Sequence, residues 1–119
     1  MTIIEERDQL LTAVAAASDL IDRSTGDSAK ARPPAGRVHA VLGPPDITWP
    51  SWHMRETVWT LWLIAGTTSS QADALDLLYA AMDDLADSQT INLIEATPAG
   101  WDGGDRQLAA YKLSINKES

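Results

Sequence analysis

The chain is expected to fold as an α+β domain: two helices packed on a four-stranded sheet, antiparallel or mixed, in the order helix-strand-strand-helix-strand-strand. Three observations lead there. Two segments carry apolar residues at a helical period, one central segment is dense in β-formers, and two late β-prone runs flank a glycine-rich turn. With 119 residues the chain has the size of one domain with one two-layer core, so residues 1–119 are read as a single unit.

The first helix is read over roughly Thr2 to Asp22. Thr2 and Glu5 have capping-box spacing, in which each side chain satisfies a free backbone donor at the helix start. Ile3, Leu10, Val14, Ala17 and Ile21 share one face, with Ile4 and Leu11 at its edge. Arg7 falls inside that stripe, either snorkelling along its aliphatic stem or held for an acid on a neighbouring subunit. Residues 23–36 (RSTGDSAKARPPAG) contain only loop signals and are read as a flexible loop. Arg37 to Leu42 reads as a short strand, and Gly43 to Trp52 as a proline-rich loop. Arg55 to Ala65 is the strongest strand signal, apolar on both faces, as expected of a central strand covered on two sides.

The second helix is read over about Ser69 to Ala86, with Thr68 and Gln71 at capping-box spacing. Leu75, Leu78, Tyr79, Met82 and Leu85 form its apolar face, and Asp73, Asp76, Asp83, Asp84 and Asp87 the opposite one. Ile91 to Thr97 and Leu108 to Ile115 complete the sheet as strands flanking PAGWDGGDR.

Cysteine is absent, which excludes disulfides and thiolate metal sites and suits a reducing compartment. Residues 1–9 carry acids and no apolar core of a signal peptide. The longest apolar run, Val58 to Ala65, is interrupted by Thr60 and falls far short of the ~20 residues that span a bilayer. A soluble intracellular protein is expected.

Net charge is −8 and polarised. No Lys or Arg lies between Arg55 and Arg106, whereas residues 23–55 hold five basic and two acidic residues. Clustered phosphate-tracking cations are missing from the acidic whole, so specific DNA binding is not expected. The asymmetry is either a solvated acidic helix beside a mildly basic loop, or two complementary patches of a head-to-tail interface.

No catalytic template is met. The two histidines, His39 and His53, lack an accompanying nucleophile motif and do not share an i, i+4 helix face for a metal. Asp102-Gly103-Gly104-Asp105 offers two carboxylates, too few for a calcium loop. Gly66-Thr67-Thr68 precedes a helix without a phosphate-loop motif. No catalytic, cofactor or metal residue is therefore assigned, and an enzyme is not expected. Trp59 and Trp62 belong to the central strand. Trp49, Trp52 and Trp101 fall in expected loops, to be covered either by the sheet edge or by a protein partner. Together with Arg7, Arg32, Arg37 and Arg55 they form the candidate interface set; the five helix aspartates form a second, acidic face.

Two stretches carry a resemblance. TVWTLWLIAGTTSSQADALDLL (Thr57 to Leu78) resembles the strand, GT turn and Ala/Asp/Leu helix of tail terminator proteins from long-tailed phages of actinobacteria. ATPAGWDGGDRQLAAYKLSI (Ala96 to Ile115) resembles their final hairpin, and the opening acidic helix and GPPDI loop sit where that family has them. Loop 23–36 departs from it in being longer and more basic. The resemblance implies a homohexameric ring that caps the head-proximal end of the tail tube, ends its polymerisation and docks the head connector. It also implies passage of DNA through the ring without specific binding, assembly in the host cytoplasm, and a final place in the virion. Two other readings stand beside it: a head–tail joining protein at another level of the neck, and a small ligand-binding or regulatory domain.

Overall fold

The computed structural model describes residues 2–30, 32–52, 54–66, 71–102 and 107–118. It has two helices and six strands: α1 (Ile3–Ala17), β1 (Ile21–Thr25), a 3-10 turn (Ser28–Lys30), β2 (Val38–Leu42), β3 (Asp46–Ser51), β4 (Met54–Ala65), α2 (Gln71–Asp87), β5 (Leu93–Asp102) and β6 (Gln107–Glu118). The class is α+β, as expected, but the sheet holds six strands instead of four, and the helix-strand-strand-helix-strand-strand order is replaced by one with four strands between α1 and α2 and two after α2.

The two extra strands have separate causes. The first helix ends at Ala17, because Ser18 turns into extended backbone (φ −146°) and its Oγ accepts from the Leu20 amide. Ile21, which continued the helical period, instead opens β1 parallel to β2. A parallel pair needs a crossover of about a dozen residues or more, and the Gly/Pro-rich segment read as a flexible loop supplies it. The second extra strand lies in the expected proline-rich loop. There β3 pairs antiparallel with β4, in nearly the same register as β2 does further along. Thus β2 and β3 are one hairpin arm, interrupted at Pro44 and Pro45, which have no amide hydrogen to give the ladder; the Gly43 amide still reaches the Thr60 carbonyl at 2.8 Å.

Two long hairpins, β2/β3–β4 and β5–β6, therefore meet edge to edge through β4 and β6. Because β4 and β6 run antiparallel, the Ser51–Met54 pair of one hairpin and the Asp102–Gln107 pair of the other lie at opposite ends of the sheet.

Both helices pack on the same sheet face. Leu10 and Val14 of α1 and Ala74, Leu78, Ala81 and Leu85 of α2 close over Trp59, Leu61, Leu63, Leu113 and Ile115. Each buried Leu, Ile or Val among them contributes about 1.5–3 kcal/mol by leaving water. The expected apolar face of α2 is rotated: Ala74 and Ala81 take the buried positions, while Tyr79 lies 44% exposed against Tyr111. The second face of β4 is covered from within the sheet: among the described residues, Val41, Ile64 and Ala110 pack against Trp62, Trp101 and Leu108. The Trp62 and Trp101 rings meet edge-on at 5.5 Å, and the Lys112 ammonium lies 5.8 Å over Trp62.

The Thr2–Glu5 capping box is formed as expected, with bonds of 3.1 and 3.2 Å. The corresponding reading at Thr68, the turn at 103–106 and His53 lie outside the described residues.

Candidate functional site

Two polar clusters inside the subunit come first, because they decide which expected interface residues are free to meet a partner. In α1 the side chain that enters the core stripe is Glu6, fully buried, and not Arg7. Arg7 is exposed and paired with Asp8 at 3.0 Å. Glu6 meets the Arg55 guanidinium and accepts from the Thr57 hydroxyl at 2.6 Å. A buried carboxylate is tolerable only when paired and hydrogen-bonded, and Arg55 and Thr57, two residues apart on one face of β4, supply both. Arg55 thus joins α1 to the sheet within one subunit, which removes it from the exposed set.

The second cluster joins β1 to β2. Arg37 donates to the Asp19 carbonyl at 2.6 Å and lies 3.6 Å from Asp22. Asp22 is also 3.6 Å from Nε2 of the buried His39. Burial holds the imidazole below its ordinary pKa, an effect that Asp22 offsets in part. Neither His39 nitrogen has a hydrogen-bond partner among the described residues, and His39 is a buried strand residue beside a carboxylate. No group of three or more His, Cys, Asp or Glu that could hold a metal ion occurs among the described residues. None of the described helices is long and apolar enough to cross a membrane.

The tryptophans separate into three environments. Trp59 is buried under the helices. Trp62 and Trp101 shelter each other on the helix-free face, and Trp101 belongs to β5 instead of a loop. Trp49 and Trp52, 65% and 95% exposed, stand at the end of the β3–β4 hairpin beside Met54. Between Thr48 and Ser51 the ladder slips, and a bulge of this kind redirects side chains out of the sheet. Residues 49–54 carry no carboxylate, Lys or Arg.

A cleft of about 590 Å³ opens partway along the same hairpin arm, at its Pro44–Pro45 interruption. The start of α1 (Ile3, Ile4, Arg7, Leu11), the turn at Gly26 and Asp27, Pro44, Pro45 and the Trp59 ring line it. The Trp59 Nε1 is buried without a hydrogen-bond partner among the described residues; a donor left so costs about 1–3 kcal/mol. The cleft was missed in the sequence because its wall joins residues from four separate segments.

Arg32 is exposed near the 3-10 turn. Of the expected acidic face, Asp73, Asp76, Asp83 and Asp87 are exposed. Asp84 departs from that row: it is half-buried and accepts from the Ser18 hydroxyl at 2.6 Å, tying α2 to the end of α1. Asp73 and Asp76 border a shallow apolar hollow with Leu20, Leu77 and Ala80.

No protein-family model matches the chain, and comparison with curated proteins finds no match.

Proposed function

We propose that the chain is a structural virion protein of the tail-terminator kind. In this reading it forms a ring, six-fold by the family resemblance, on the head-proximal end of the tail tube, stops tube polymerisation and offers its far side to the head connector. The exposed aspartates of α2 line the channel, where like charge keeps the phosphates of passing DNA from adhering. One observation carries the reading: two indoles and Met54 stand uncovered at the tip of a rigid hairpin, an apolar surface that a solitary small subunit does not need.

Native mass spectrometry and negative-stain imaging of the protein with tube protein test it. Rings on tube ends support the reading; a protein that stays monomeric alone and with tube overturns it. Rings that bind a portal-side adaptor and ignore tube would favour the neighbouring level of the neck. The cleft beside Trp59 supports a second reading, a small ligand-binding domain, which predicts a monomer or dimer whose melting temperature rises with an apolar ligand.

A further inference from the structure

We infer that the cleft beside Trp59 is the socket for the β3–β4 hairpin tip of a second copy of this chain. The inference rests on the self-assembly reading above and names the contact through which it would occur.

The tip and the cleft match in chemistry. Trp49, Trp52 and Met54 present apolar surface on a segment without Lys, Arg, Asp or Glu, so the tip itself brings no such charge into the cleft, whose own charged residues are the paired Arg7 and Asp8 and, at the turn, Asp27. The cleft offers Ile3, Ile4, Leu11 and the Pro44–Pro45 step, and at about 590 Å³ it is of a size that ordinarily receives a group larger than a single side chain. Its wall also contains the Trp59 indole, whose N–H has no acceptor among the described residues.

They match in extent as well. A covered indole buries about 150–250 Å². Two indoles and Met54 therefore supply roughly half of the ~800 Å² per partner of a stable interface. The cleft rim and the flanking strand edges would have to provide the rest.

The tip cannot be its own subunit's occupant. Met54 stands about 17 Å along β4 from Trp59 at ~3.3 Å per strand residue, and the ladder between β3 and β4 holds it there. A contact between two different patches of identical subunits is head-to-tail, the kind that closes into rings when the rotation permits.

Two surface variants test the inference, Trp52→Ala in the tip and Ile4→Glu at the cleft, where Ile4 is 60% exposed. Both positions are open to solvent, so both variants should melt like wild type. Sedimentation velocity of the purified chain should show concentration-dependent association, weakened at least about tenfold by either change, as truncation of a Trp anchor does. The decisive sample is the 1:1 mixture. Each variant lacks one half of the contact, so the pair should form a heterodimer from the intact tip of one and the intact cleft of the other, and extend no further. A wild-type chain that stays monomeric at every concentration overturns the socket, whereas the ring reading is then judged by its own experiment with tube protein. Association that both variants retain, or that only Trp52→Ala loses, also overturns the socket while leaving a ring built on other surfaces standing.

Discussion

The Thr57 hydroxyl donates to the Glu6 carboxylate at 2.6 Å, in a position where neither side chain is reached by solvent. This bond and the Arg55 guanidinium on the same carboxylate fix the first turns of α1 on the strand that organises the sheet. Removing the cation while keeping the acid should therefore be costly. Arg55→Ala is expected to lower stability by about 3–5 kcal/mol by leaving a buried carboxylate uncompensated. Replacing the pair together, Glu6→Leu with Arg55→Met, should recover most of that loss. Urea denaturation of the three variants checks it, and a double variant no better than Arg55→Ala would refute the pairing.

Gly66 is the second sensitive point. A Cβ there would sit 2.0 Å from the Pro34 carbonyl oxygen and 2.9 Å from that of Pro33. Both obstacles are backbone, and the Gly66 amide is itself bonded to the Arg37 carbonyl at 2.8 Å. Gly66→Ala is thus expected to cost at least the ~1–3 kcal/mol typical of overpacking. Gly36→Ala should be strained for a different reason: nothing crowds the site, but φ is +76°. Melting curves of the two variants, with amide exchange along residues 32–38, separate crowding from backbone strain.

His39 sets an acid-side limit. Its imidazole is held below the ordinary value by burial, so the unfolded chain takes up a proton at a pH where the folded chain does not. Stability from this group is complete above about pH 6.5 and falls as the pH drops below it. Nearby Asp22 moderates the loss and Arg23 adds slightly to it. His39→Gln should flatten the stability profile on the acid side of about pH 6.5. Denaturant titrations at several pH values measure the slope, and parallel profiles for both proteins would exclude the histidine.

Reversing charge on α2 discriminates between two roles for its acidic row. With Asp76→Lys and Asp83→Lys, a channel-lining row predicts normal rings and impaired DNA passage. An interface row predicts fewer rings, and wild-type assembly that weakens as salt rises beyond about 0.15 M, where the Debye length is ~8 Å. The channel role is the expected result, since peripheral charges tune association rate more than affinity. A double variant that assembles and delivers DNA normally would reduce the row to a solubility device.

Much of the fold was legible in the sequence. The Thr2 cap, the amphipathic second helix, the central strand and the final strand pair follow from periods and local chemistry that do not depend on distant residues. What was hidden depended on distant residues. Ile21 satisfies a helical period and a strand propensity equally, and its pairing with Val38 decides between them. Pro44 and Pro45 mark a loop locally, yet β4 runs past them and pairs on both sides of the interruption. An apolar stripe through Ile3, Leu10 and Val14 accepts residue 6 or residue 7 between its members, and only Arg55, far along the chain, selects Glu6. The double-sided apolar strand pointed to cover on both faces without saying what supplies it, and on the second face Trp62 and Trp101 do so from within the sheet. Of the candidate surface, the exposure of Trp49 and Trp52 was open in the sequence, and the cleft beside Trp59 was not visible at all.

The opposed hairpins divide labour along the length of the molecule. The helices clamp the middle of the sheet, while the Trp49–Trp52 bend lies beyond them at one extremity. Substitutions at that extremity touch little of what makes the chain fold. Its binding preference can consequently drift to match a changing neighbour while the folded scaffold stays constant, so that tolerance to mutation and choice of partner are inherited from separate parts of one short chain.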